Sequence, residues 1–473
     1  MNVLFTVNHY KTVFFKEIAD NLTNVGHDVF WISPGKLWGK WLIQQGIKKE
    51  NILVIANYVK EWSGDNRLSD AELHMLFDLE KINKWSIKDL IMMDRLLQLK
   101  PYHYALKYLS VCQRKISSFF KLKGIEVVFQ ESTWAIELLI TQICNKCGIK
   151  VFSIDSVRIP YDRFAFFEGH LAKGFITDNK IKNEYVMLAE SIYKDICNKS
   201  KKPDYFAINN KAPKLKLRFF IRFFWHLSTI RYNIGDETYP PIFHMIKERI
   251  NSIVRYKWVK KYISNFDNGA YQDKPYVLFP LHVQPEASID VRGSYYSNQL
   301  ELIKVLARSI PITHNLLVKE HSNFIGTKSI YFYKECARIP GVYLVDPYAD
   351  SISLIKSADL VVSVTGTACL EAGILGVKSL LLGEAFFSNL AFCNKLDIFS
   401  EKFNGIYKIL TAQIPSNKER NKRAIDGISQ IIANSYPGIV GDVRFDSRCK
   451  LPDNVENVFA GFCHFISQVI PKL

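Results

Sequence analysis

Five short apolar runs at even intervals constrain this chain most. "YVLFPLH" (Tyr276–His282), "HNLLVKEH" (His314–His321), "GVYLVD" (Gly341–Asp346), "ADLVVSV" (Ala358–Val364) and "KSLLLG" (Lys378–Gly383) have strand length. Helical periodicity lies between them at Tyr295–Ser309, Ser329–Ala337, Ser351–Ser357 and Ala368–Leu375. Strand–helix alternation of this kind imposes parallel pairing, and five such strands make a complete doubly wound α/β unit.

The first third alternates in the same way. "NVLFTVN" (Asn2–Asn8) reads as a strand, Lys11–Val25 as a helix and "GHDVFWIS" (Gly26–Ser33) as a second strand. "IEVVFQES" (Ile125–Ser132), a helix through Cys144, and "IKVFSIDS" (Ile149–Ser156) continue the pattern. Residues 55–120 are helix-rich and read as an insertion. The expected fold class is therefore α/β, with two Rossmann-like doubly wound domains. The first occupies 1–196, a basic helical linker 197–270, and the second 271–440. Residues 441–473 hold a last amphipathic helix, Asn454–Ile470, which can cross back to the first domain.

The linker mixes Lys214, Lys216, Arg218, Arg222 and Arg231 with Phe219, Phe220, Phe223, Phe224 and Trp225. Two readings stand: a helix packing its aromatics against the domains, or peripheral contact of 214–233 with an anionic membrane. The formal charge is +16, from 62 Lys+Arg minus 46 Asp+Glu. That surplus favours an acidic partner. No nucleic-acid-binding module accompanies it, so nucleic acid is not expected. Nine scattered cysteines fit free thiols in a reducing compartment. With no signal peptide and no long apolar span, the expected location is cytoplasmic, with peripheral contact at the inner membrane face as the variant.

In an open parallel sheet, ligands sit at the carboxyl ends of strands. "LHVQPEAS" (Leu281–Ser288), "KEHSN" (Lys319–Asn323) and "VTGTACLEA" (Val364–Ala372) all occupy that edge of the second domain. Gly366 lets backbone approach a phosphate, and Thr365 and Thr367 add hydroxyl donors. Lys319 and His321 add donors from the neighbouring strand end, and Glu371 is placed to accept ribose hydroxyls. No GxGxxG follows the first strand and no GxxxxGK[ST] occurs, which argues against NAD and P-loop chemistry. In the first domain, Glu131 and Asp155 end strands facing the other half. They are candidate acid/base or nucleophilic carboxylates.

"FPLHVQPEAS", "LLVKEH" and "SADLVVSVTGTACLEAGILGVKSLLLGEAFF", in that order, resemble the bacterial capsule polysaccharide biosynthesis family, which includes β-Kdo transferases. The resemblance is best over 275–395. It implies a GT-B arrangement, with the two domains facing across a cleft and a nucleotide-sugar donor held by the second. It further implies that Lys319 and His321 match a Lys-x-His-Pro motif whose histidine contacts the donor phosphate. Thr365, Gly366 and Thr367 match a phosphate-holding turn, and Glu371 a Glu-Ala pair behind it. Gln284 and Glu286 match a Gln-Pro-Glu, and Arg158 falls in the loop after the next strand; these three are donor-sugar candidates. Glu131 aligns with a catalytic carboxylate. Ser322 stands where the motif has proline, and "ESTWAI" departs from the pattern of Kdo transferases. The implied activity is a metal-independent, cofactor-free glycosyl transfer from a CMP-Kdo-like or UDP-sugar donor to a glycan or lipid-linked acceptor. The rivals are a CDP-polyol phosphotransferase of teichoic-acid type, a non-hydrolysing epimerase and a polysaccharide-binding scaffold.

Overall fold

A computed structural model describes residues 1–64, 67–198, 217–263 and 274–472. Its strands are β1 (Asn2–Thr6), β2 (Asp28–Ser33), β3 (Ile52–Val54), β4 (Val127–Gln130), β5 (Lys150–Ser156), β6 (Arg163–Glu168), β7 (Tyr276–Pro280), β8 (Asn315–Lys319), β9 (Val342–Val345), β10 (Leu360–Ser363), β11 (Ser379–Leu381), β12 (Cys393–Lys395) and β13 (Tyr436–Pro437). They form two sheets, ordered β13-β6-β5-β4-β1-β2-β3 and β12-β11-β10-β7-β8-β9. The second sheet is wholly parallel, and the first is parallel except at β6 and β13.

Both sheets reverse strand order beside their first strand, between β1 and β4 and between β7 and β10. That reversal opens a crevice at the carboxyl ends. The strands can be near-continuous apolar runs because helices cover both faces. One face of the first sheet meets helices Tyr102–Lys123 and Ala135–Cys147, and the other meets Lys11–Asn24. The fold is thus two doubly wound α/β units facing one cleft.

Two segments cross between the units. Phe462, Phe465 and Ile466, on the C-terminal helix Pro452–His464 and the turn beyond it, join Phe5, Phe129 and Phe166 in the core of the first unit. β13 pairs with β6 at the edge of the first sheet. In the other direction, helix Asn183–Cys197 packs on helix Asn417–Ala433, and its Ala189 joins the core beneath the second sheet. Sequence pattern expects this helix with the first domain. Its Ala189 and Ile192 join a core built mostly from the second unit, to which Val157 and Phe167 of the first unit also contribute.

Helices Leu217–Asn233 and Ile242–Ile263 form the bridge. The former lies along helix Lys36–Gln44, with buried His226 stacked on Tyr239 at 4.8 Å. The latter seats Val259 in the core of the second unit, and its Arg255 Nη1 donates to the Thr327 carbonyl at 3.2 Å. Phe220, Ile221, Phe224, Trp225, Leu227 and Ile230 remain exposed on the first of these helices. Lys214 and Lys216 lie outside the described residues. No helix among the described residues is long and apolar enough to cross a membrane.

Candidate functional site

Both sheets end at a cleft of about 760 Å³, lined by residues of both units. The wall from the second unit is built on His282, which follows β7, and Ser363, which ends β10. The His282 Nε2 and Ser363 Oγ lie 3.1 Å apart. The Thr365 N–H donates to His282 Nε2 at 3.3 Å, and the Gly366 N–H to Ser363 Oγ at 3.0 Å. The His282 carbonyl accepts from Lys328 Nζ at 2.8 Å and from Gln299 Nε2 at 3.2 Å. Burial, then the charge of Lys328, pushes His282 down to about 4, so it remains a neutral acceptor. A Cβ at 366 would lie 2.5 Å from Ser363 Oγ, so any other residue there must displace that hydroxyl from its bond.

Thr365, Gly366 and Thr367 all line the cleft, and this network fixes the shape of their turn. Two of its amides are spent inside the protein, and the Thr365 hydroxyl donates to the Ser288 carbonyl at 2.8 Å. Thr367 makes no cap bond with its side chain and lines the cleft. His321 also lines it, with an exposed ring edge-on to Phe324 at 5.3 Å. Crowding on its packed side, then Lys319 and Lys328, lowers its imidazole to about 4. It meets a ligand as a neutral hydrogen-bonding group. Lys319 is buried at the cleft wall, and its ammonium donates to the Pro347 carbonyl at 2.8 Å. Burial lowers its pKa. Glu371 is buried and also lines the cleft.

Of the donor-sugar candidates, Glu286 lines the cleft, and burial raises its carboxyl. Arg158 lines it too, with a left-handed backbone at φ 65. Gln284 is not among the lining residues. Its amide donates to Asp290 at 2.7 Å and its oxygen accepts from Gln299 at 3.1 Å, so it braces its own loop.

The opposite wall carries Glu131, just beyond β4. Lys11 Nζ ion-pairs with Glu131 Oε1, and Asn8 Nδ2 donates to Oε2 at 3.1 Å. Behind it, Glu137 accepts from the Thr133 and Trp134 amides at 2.7 and 3.1 Å. Burial and the charge of Glu131 push Glu137 up to about 8, though those two backbone bonds oppose the rise. Asp155 ends β5 but is committed across the cleft, pairing with Arg292 of the second unit at 2.8 Å. Burial would raise its carboxyl, but Arg292, Arg158 and Lys11 outweigh that and lower it. Val291, next to Arg292, sits in the core of the first unit. The loop after β7 therefore clasps one unit to the other.

Sequence reasoning missed His282, Ser363, Lys11 and Arg292. His282 and Ser363 stand at strand ends inside quoted segments, so position could have found them. Lys11 opens the first helix, and Arg292 follows a helix of four residues. Neither carries a local pattern.

Two Rossmann-type units meet at a two-walled cleft at their strand ends, the place where open α/β sheets bind ligands. Residues 234–402 match the family described as capsule polysaccharide biosynthesis protein, the family that the resemblance named. No curated protein matches the chain. Among solved structures, it is similar to the β-Kdo 2,7 transferase KpsC of Thermosulfurimonas dismutans at 12% identity, over 75% of this chain and 90% of that one, with a TM-score of 0.34. It is similar to the UDP-GlcNAc 2-epimerase of Methanocaldococcus jannaschii at 12% identity, over 91% and 98%, with a TM-score of 0.25. The glycosyltransferase VinC in complex with DTDP shares 10% identity over 92% and 96%, with a TM-score of 0.29.

Proposed function

We propose that this chain is a glycosyltransferase of capsular or surface polysaccharide assembly, moving a sugar from a nucleotide-sugar donor to a saccharide or lipid-linked acceptor. The observation that carries the reading is that one cleft is lined by Glu131 on one wall and by His321, Thr367 and Glu371 on the other. The family signature over 234–402 supports the same reading.

The donor phosphate lies against His321 and Thr367, with Glu371 toward the ribose hydroxyls. Glu131 accepts the proton of the acceptor hydroxyl as that oxygen bonds to the anomeric carbon. The bond from that carbon to the phosphate oxygen breaks, and the nucleotide leaves with its electron pair. His321 donates to the developing charge. Glu131 takes this role over Asp155 because its partners, Lys11 and Asn8, stand on the same wall. Asp155 is occupied in bridging the units. Cleft closure brings donor and acceptor into line and excludes water. The exposed face of Phe220, Phe224 and Leu227 gives the enzyme peripheral contact with an anionic membrane, where a lipid-linked acceptor would be met. Replacing these three by serine should abolish flotation with anionic vesicles, and unchanged flotation would remove that part of the reading.

The test of the transfer itself is Glu131→Gln. It should reduce turnover by at least a thousandfold while nucleotide binding changes little. Full activity in that variant would refute the assignment.

A further inference from the structure

One cation in the cleft has no role in the proposed transfer. Arg95 follows helix Ile87–Met93 in the insertion and lines the cleft from the first unit. Its placement is built, not incidental. The neighbouring Asp94, only 3% exposed, accepts from the Leu96 and Leu97 amides at 2.9 and 2.8 Å through Oδ1. Its Oδ2 accepts from the Ala135 amide at 2.8 Å. That carboxylate pins the insertion to the start of helix Ala135–Cys147, directly behind the Glu131 loop. The Arg95 guanidinium then lies 4.8 Å over the ring of buried Trp134.

A guanidinium stacked by one face keeps its N–H donors in the plane, where they can grip a two-oxygen anion. Among the described residues no carboxylate forms an ion pair with Arg95; Glu286, on the facing wall, feels its charge without pairing to it, and the other nearby acids are occupied. Asp94 is spent as above. Asp290 accepts from Gln284 and from the Glu286 amide. Glu137 accepts from the Thr133 and Trp134 amides. His9, edge-on to Trp134 at 5.7 Å, is held neutral by burial, Arg444 and Arg95. The positive charge is therefore offered to the cleft.

We infer that Arg95, stacked on Trp134, forms a subsite for an oxyanion, carboxylate or phosphate, carried by the acceptor saccharide. The acceptor is the partner because Arg95 stands on the Glu131 wall, whereas His321 and Thr367 stand on the other. This inference rests on the transferase reading for its ligand, but its test reads binding alone.

The test is calorimetric titration of the full chain, with and without a stabilising nucleotide. The ligands are a disaccharide ending in glucuronic acid, its carboxyl-reduced counterpart and a hexose 1-phosphate. A charge-assisted contact of this type predicts at least about tenfold tighter binding of an anionic ligand than of the neutral one. In Arg95→Gln that preference should fall to within about twofold, and Arg95→Lys should keep part of it. Melting curves show whether the variants fold. Preference for the uronic acid alone identifies the carboxylate, and preference for the phosphate alone identifies a phosphorylated acceptor. Equal binding of all three ligands, no binding of either anion, or a preference that survives Arg95→Gln overturns the subsite. If no nucleotide stabilises the chain, the transferase reading fails, while the titration without nucleotide still judges Arg95.

Discussion

Removing the Asp155–Arg292 clasp should open the cleft by a measurable amount. The two side chains are 30% and 21% exposed, intermediate between a surface pair and a buried one. Surface pairs contribute up to about 1 kcal/mol, and breaking buried ones costs about 3–5 kcal/mol. The partial exposure here places Arg292→Met at about 1–2 kcal/mol. That is about a five- to thirtyfold shift between clasped and open states. Val291 keeps its apolar seat, so the variant should remain folded. The readout is amide exchange at Val291 and Arg292, whose N–H groups both donate to the Ala287 carbonyl. Their exchange should quicken by that factor, while β7 and β10 stay protected. Asp155→Asn should do the same, and the double variant should cost less than the sum of the singles. Unchanged exchange, or strict additivity, would show that the pair does not hold the units together.

Protonation of His282 should cost stability as the pH falls, in opposition to Glu137, whose carboxyl is raised to about 8 and so favours the fold in acid. His282 ionises near 6.5 when unfolded and near 4 when folded, so the unfolded chain binds the proton first. Its stabilisation is full above about pH 6.5 and falls toward pH 4, by about 3 kcal/mol at most. Burial gives His9 and His170 the same direction. The change in melting temperature between pH 7 and pH 4.5 should shift toward acid stabilisation in His282→Gln, and an unchanged pH dependence in that variant would contradict this. Gly366→Ala should impair nucleotide binding by at least tenfold, because the new Cβ drives Ser363 from its bond with the Gly366 amide; unaltered binding would remove the turn from the site. Asp94→Asn should lower the melting temperature by several degrees, since one oxygen that accepts backbone N–H groups is lost; an unchanged melt would show that the insertion is not pinned there.

The second unit was legible because its strands are continuous apolar runs covered on both faces, so pattern and burial coincide. β7 to β11 fall inside the expected runs. The short edge strands β3, β12 and β13 escaped, since two or three residues carry no period. β6 was hidden because an antiparallel strand directly after β5 breaks the strand–helix alternation. The site was legible in position more than in detail. His321, Thr367, Glu131 and Arg158 all reach one cleft, as strand ends should. The spending of the Thr365 amide on His282 was not legible, because that pairing joins residues 83 positions apart. The Arg292 clasp and the Arg95 stack join separate segments, and no local spacing announces them.

Nucleotide binding tests the central claim most directly. Melting curves of the full chain with CMP, CDP and UDP should show stabilisation by at least one of them, about 2.7 kcal/mol at a hundred times its Kd. That stabilisation should shrink in His321→Ala. A chain whose melting temperature is unmoved by every nucleotide, or moved equally in His321→Ala, would contradict a phosphate site at the carboxyl edge of the second sheet.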